Sequence, residues 1–165
     1  MGRPLDLQAV RVQRRMRDEE LLAQQTIMPG VLAYLRTAKQ LGLKTAVASG
    51  SSHAWVDSLL ARLEISHLFD AVCCCDDVGG KTKPNPAVYL AALAALNVSA
   101  AEALALEDSA NGAEAARAAG IFCVVVPNEL TSQMVFNAAD YRLSSLADMP
   151  LKQLLSHISA NGAPI

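Results

Sequence analysis

Glu107 and Asp108 stand side by side where the apolar run of residues 103–106 gives out. Four apolar residues are too few for a helix, and between helical patterns they read as a buried strand of a parallel sheet. Ligands of open α/β sheets bind beyond the carboxyl ends of the strands, and paired acids there suit a hard divalent cation such as Mg²⁺. Capping the next helix is an equal alternative use of the same pair. Two other apolar runs end in groups of complementary chemistry: residues 44–48 lead into Ser49-Gly50-Ser51-Ser52, and residues 71–75 lead into a loop carrying Lys83. A hydroxyl, an ammonium and a carboxylate-held Mg²⁺ are together what a phosphoryl group requires, because its transfer is catalysed mainly by positioning and by neutralising charge on oxygen. Singly each group is weak, since a serine after a strand is usually a cap and a lone loop lysine is usually solvated. Three of them in order, each at a strand exit, favour a site.

The elements that must position these groups follow from the spacing. Val31, Leu32, Leu35, Ala38 and Leu41 share a helix face, with Pro29 in its first turn and Gly42 at its stop. The helix after Ser49 carries Val56, Leu59, Leu60 and Leu63 on one side, and Ser51 or Ser52 is its expected N-cap. Asn85 as N-cap and Pro86 as first helical residue open the next helix, and Ser99 with Glu102 forms a capping box before the central strand. An Ala-rich helix closed by Gly120 leads to a strand over 121–126 stopped by Pro127; residues 141–143 read as one more short strand and 151–158 as a terminal helix. Strands alternating with helices predict a doubly wound α/β domain with one parallel sheet.

Composition narrows the function class. The 165 residues are 52% hydrophobic and only 4% aromatic, and the formal net charge is −2, so no basic field is expected to attract nucleic acid or an anionic membrane. No apolar run approaches the ~20 residues of a membrane span. Cys73, Cys74, Cys75 and Cys123 lie in apolar runs without zinc spacing, and read as buried free thiols of a reducing compartment. The expectation is a cytoplasmic protein that takes a small ligand.

Three stretches carry a resemblance. Ala48-Ser49-Gly50-Ser51, Gly80-Lys81-Thr82-Lys83-Pro84-Asn85-Pro86, and the run from Leu106-Glu107-Asp108-Ser109-Ala110-Asn111-Gly112 to Gly120 are similar to the second, third and fourth motifs of the haloacid dehalogenase (HAD) superfamily. The similarity is to its β-phosphoglucomutase and sugar-phosphate phosphatase branch. It implies a Rossmann-like α/β core over 28–158, a remnant of the helical cap over 1–27, and a tail over 159–165. It also implies that Ser49 and the Gly50 amide bind a phosphoryl oxygen and that Lys83 bridges this group and a nucleophilic carboxylate. Asp108 with Glu107 would hold Mg²⁺, His53 would neighbour the site, and the substrate would be a small phosphorylated metabolite.

The family's first motif, Asp-x-Asp after the first strand of the fold, has no counterpart in this sequence; Asp76-Asp77 are adjacent and follow the wrong strand. Its leading aspartate is the nucleophile that forms an aspartyl-phosphate, and the second is the general acid and base. The chain by itself is therefore expected to be inactive. Its motif-bearing strand would lie between the strands at 44–48 and 103–106, so either these two close up or the missing strand arrives from another chain or another segment of the gene product; an open inner edge also favours a homodimer. A binding module that keeps the phosphate and metal pocket without catalysis is the alternative function. A receiver-type signalling domain fits poorly, because its paired acids should follow the first strand.

Overall fold

A computed structural model describes residues 25–160. Most of the cap-like segment expected over 1–27, and residues 161–165 of the tail, lie outside the described residues. The order is α1 (Val31–Gln40), β1 (Ala46–Ala48), α2 (His53–Arg62), β2 (Ala71–Cys73), α3 (Ala87–Leu96), β3 (Leu104–Glu107), α4 (Ala110–Ala118), β4 (Phe122–Val125), β5 (Tyr141–Arg142) and α5 (Leu151–Ala160). Short 3₁₀ turns intervene at Ser66–Leu68, Cys75–Val78 and Ala100–Glu102.

The local signals are mostly met, with instructive shifts. Pro29 is not in the first turn of α1. It precedes an N-cap Gly30 at φ +88°, where a Cβ would lie 2.4 Å from the Leu146 carbonyl carbon, so both the left-handed backbone and the close approach require glycine. Pro86, not Asn85, is the N-cap of α3; Asn85 acts from one position further out, its Oδ1 accepting the Ala87 N–H at 3.0 Å. The box at Ser99 and Glu102 is present, with Ser99 N donating to Glu102 Oε2 at 3.0 Å. The final helix runs to Ala160, two residues past its expected end.

All strand pairs are parallel, and the helices cover both faces. Tyr89, Ala105, Ala113, Cys123 and Val125 belong to one apolar cluster beneath α3 and α4, with Ala48 of β1 packed against it. On the opposite face Tyr34, Val124, Leu154 and Ile158 join α1 and α5 to the sheet, while Val56, Leu60 and Cys74 form a third cluster with Val47 and Leu32. Each fully buried aliphatic side chain of this kind contributes about 1.5–3 kcal/mol. The small alanines of α4, three of them fully buried, let that helix lie close on its strands.

The single sheet expected from the sequence is divided. Among the described residues β1 pairs only with β2, with Ala46 opposite Ala71, and a separate sheet runs β3-β4-β5, with Leu104 opposite Phe122 and Val124 opposite Tyr141. The strands at 46–48 and 104–107 have not closed on each other. Thr45 and Ser49 exchange backbone bonds with the β2 side, so the alternate residues Ala46 and Ala48 turn their amides and carbonyls the other way. In β3 the Glu107 carbonyl accepts from Val126 N, so Leu104 and Leu106 likewise face away from β4. Ala48 and Ala105 share one core, so these two unpaired edges flank a seam in the sheet. Leu106, read from sequence as buried, is 40% exposed. Its neighbour Glu107 takes the interior side instead.

Candidate active site

The polar groups gather at the carboxyl ends of β1 and β3. Ser49 follows β1 directly, its N–H held by the Cys73 carbonyl at 2.8 Å and its Oγ accepting from Ser51 N at 3.1 Å. The turn that follows starts α2 with Ser52 as N-cap, whose side chain makes no capping bond. Gly50 lies against the Thr82–Lys83 backbone, where a Cβ would be 3.7 Å from Lys83 N, so the serine turn and the lysine loop are in contact. The Ser51 carbonyl also accepts from Cys75 N at 3.1 Å.

Lys83 and Glu107 form an ion pair between Nζ and Oε1 inside the structure, with side chains 17% and 5% exposed. A carboxylate this deep must have its lone pairs met. Tyr89, buried on α3, donates its hydroxyl to the same Oε1 at 2.5 Å, and Ser109 Oγ lies 3.2 Å from Oε2. Ser109 Oγ in turn accepts from Gly112 N at 3.1 Å as the N-cap of α4. The Lys83 ammonium sits 4.7 Å from the centre of the Tyr89 ring, a cation–π contact that adds to its fixation. Burial and then the Glu107 charge raise the Tyr89 phenol far above its ordinary value, so it stays a donor. Cys123 behind it is pushed up to about 12, first by burial and then by Glu107, and is an inert thiol.

Asp108 is exposed, and its Oδ2 accepts from Asn128 Nδ2 at 2.8 Å. Among the described residues no group of three or more His, Cys, Asp or Glu side chains is placed to hold a metal ion. Mg²⁺, however, typically keeps several waters and binds one or two carboxylates together with substrate phosphate. Asp108 fits such a partial donor set, and Glu107 stands behind it with both oxygens already engaged.

A second constellation joins the two loops from outside. His53 lies between Asp57 and Asp77, its Nδ1 3.2 Å from Asp57 Oδ2 and its Nε2 2.8 Å from Asp77 Oδ2, while its backbone N–H donates to Asp76 Oδ2 at 2.6 Å. Asp76-Asp77, set aside on sequence grounds as a nucleophile, thus serve to clasp the loops. Tyr89 and Asn128 were not legible as site residues, because the tyrosine sits in an apolar stripe and the asparagine in an ordinary loop after Pro127. For Tyr89 the one available signal was a hydroxyl on a buried stripe, which needs a partner.

The chain as a whole has known relatives. Residues 3–120, well over half the chain, match the family of haloacid dehalogenase-like hydrolases. The chain belongs to that family. YhcW of Bacillus subtilis (strain 168) is 42% identical over 160 residues, covering 97% of this chain and 72% of that protein. Hexitol phosphatase B of Escherichia coli (strain K12) is 35% identical over 130 residues, which is 78% of this chain but only 58% of the phosphatase. Among solved structures, a mutant of CbbY from Rhodobacter sphaeroides in complex with xylulose-(1,5)-bisphosphate superposes with a TM-score of 0.79 at 33% identity, over 93% of this chain and 72% of that one. The HAD-like hydrolase fold, with its parallel strands and helices on both faces, is therefore established for this chain.

Proposed function

We propose that this chain is the greater part of a Mg²⁺-dependent phosphatase acting on small phosphorylated metabolites of the sugar-phosphate type. The observation that carries the reading is the Lys83–Glu107 pair at the strand ends, beside Asp108 and against the Ser49-Gly50 turn. The relatives support it: one is a hexitol phosphatase, and the superposed CbbY holds a sugar bisphosphate.

In this reading each residue has a distinct task. An ammonium has three donors, and Lys83 commits one to Glu107, which leaves two for phosphoryl oxygens. Ser49 Oγ and the Gly50 amide offer neutral donors to the same group from the other side. Mg²⁺, when bound, would screen phosphoryl charge, and Asp108 would be its foremost ligand from this chain. The nucleophile would come from a strand that fills the seam between β1 and β3, running parallel to both and ending beside Lys83. Its source is a further segment of the protein or a different chain, because a second copy of this sequence carries no Asp-x-Asp either. Without it the 165-residue chain is inactive.

The experiment is phosphate release from p-nitrophenyl phosphate and from hexose 6-phosphates by the purified chain with Mg²⁺, beside Asp108→Ala and Lys83→Ala. No turnover, together with phosphate or Mg²⁺ binding that Asp108→Ala abolishes, supports the reading. Turnover that both variants lose overturns the claim of inactivity. A chain that neither binds nor turns over phosphate overturns the site itself. A binding module is the second reading, favoured by the absence of Asp-x-Asp from the sequence. It gains ground if phosphate binds tightly and no longer form of the protein shows hydrolysis.

A further inference from the structure

Asn128 is the one neutral side chain of the described residues that donates to the exposed carboxylate of the site. Its amide cannot be turned round. Oδ1 accepts from the Leu130 N–H at 2.8 Å and from the Thr131 N–H at 3.1 Å, and a flip would set an NH₂ group against two donors. The loop is fixed again by Asn128 N donating to Thr131 Oγ1 at 3.0 Å, with Thr131 itself buried. Nδ2 is thereby committed to Asp108 Oδ2, and among the described residues no hydrogen bond is made to Asp108 Oδ1.

We propose that Asn128 holds Asp108 as a one-oxygen ligand and so sets the site's preference for Mg²⁺ over Ca²⁺. The inference rests on the reading of Asp108 as a metal ligand. Mg²⁺ demands near-ideal octahedral geometry and keeps its waters, so a carboxylate that offers a single oxygen suits it. Ca²⁺ takes six to eight oxygens and gains from carboxylates that chelate through both. To chelate, Asp108 must surrender the Asn128 hydrogen bond. Ca²⁺ bears that penalty and Mg²⁺ does not. Asn128 is accordingly a positioning and selectivity residue that touches no substrate.

The test is titration of the ¹⁵N-labelled chain with MgCl₂ and, separately, CaCl₂, followed by NMR, for the native chain, Asn128→Ser and Asp108→Ala, with the melting temperature of each. Serine keeps a short oxygen to cap the Leu130 and Thr131 amides but has no donor that reaches Asp108; Asn128→Thr serves if the serine variant melts early. The ratio of Mg²⁺ to Ca²⁺ affinity should fall about tenfold in Asn128→Ser, the scale on which partners of metal ligands act. In the native chain the Asn128 side-chain amide signals should persist through the Mg²⁺ titration. An unchanged ratio, with binding that still depends on Asp108, overturns the role of Asn128 alone. Cation binding that Asp108→Ala leaves intact, or none at all, overturns the metal site and this inference with it.

Discussion

Gly112 shows how narrowly the site is built at the scale of single residues. It lies within α4, where replacing glycine by alanine ordinarily stabilises a helix by about 1 kcal/mol. Here a Cβ would stand 1.9 Å from Glu107 Oε2. The carboxylate cannot retreat without leaving Lys83 and Tyr89 unpaired in the interior. Gly112→Ala is therefore expected to destabilise the chain by about 1–3 kcal/mol, the cost of a buried polar group left unsatisfied, reversing the usual sign. Urea denaturation of the two proteins measures it, and a variant as stable as the native chain would show that Glu107 has room to move. Lys83→Met makes a related demand. It strips a buried carboxylate of its cation and should cost roughly 3 kcal/mol or more, with phosphate binding lost as well.

Between elements, the clasp at His53 ties the start of α2 to the turn at Cys75–Val78. The hydrogen bond to Asp77 is the main reason that the imidazole pKa is raised above 6.5, and the charges of Asp77 and Asp57 add to it. A raised folded-state pKa contributes stability that is complete below the unfolded value and is lost as pH rises through the folded one. Asp77 behaves oppositely. The Cys74 N–H first, and then His53, lower its pKa below 3.8, so its contribution is present above that value and fades as pH falls through the folded one. The clasp is thus closed in the interval between the two ordinary values. Melting temperatures of the native chain and His53→Gln, taken across pH 5 to 8 (about the range in which histidine titrates), should converge toward the alkaline end. A constant gap between the curves would mean that His53 acts by shape alone.

Local signals along the chain were legible in the sequence, and contacts between distant elements were not. Strand and helix order was legible because apolar runs, caps and glycines are local signals: Asn97 in the left-handed conformation after α3, or the box at Ser99, needs no distant partner. Ser49, Glu107 and Asp108 stood out because they lie at strand exits, and Lys83 because the loop after a strand carries it. Which acid turns inward was not legible, because it depends on which face of the strand the helices cover. Leu106 and Glu107 differ by one step of a period-two pattern, and the helices packed on each face decide which is buried: Glu107 shares with Ala105 the face that α3 and α4 cover. Asn128 and Tyr89 act across 20 and 18 residues of sequence, respectively, on partners that only the fold brings near.

At the scale of the whole molecule the divided sheet is the dominant feature. The amides of Ala46, Ala48 and Leu106 face the seam, whereas those of Val47 and Ala105 are turned to neighbouring strands. Hydrogen exchange followed by NMR should therefore find Ala48 and Leu106 exchanging faster than Val47 and Ala105 by orders of magnitude, as unpaired edge amides do. Equal protection would show the seam already covered. A helix beneath both halves gives this gap a consequence. α3 begins just after the Lys83 loop, supplies Tyr89 to Glu107, and packs under β1 and β2 as well as against α4. A strand that zips into the seam would settle onto the same support that aims Lys83, so under the proposed function filling the sheet and gripping phosphate would be thermodynamically linked events. By reciprocity, whatever factor the strand adds to the affinity for phosphate, phosphate adds to the affinity for the strand. Ligand would then act as glue for assembly, and assembly as the tuning of the pocket.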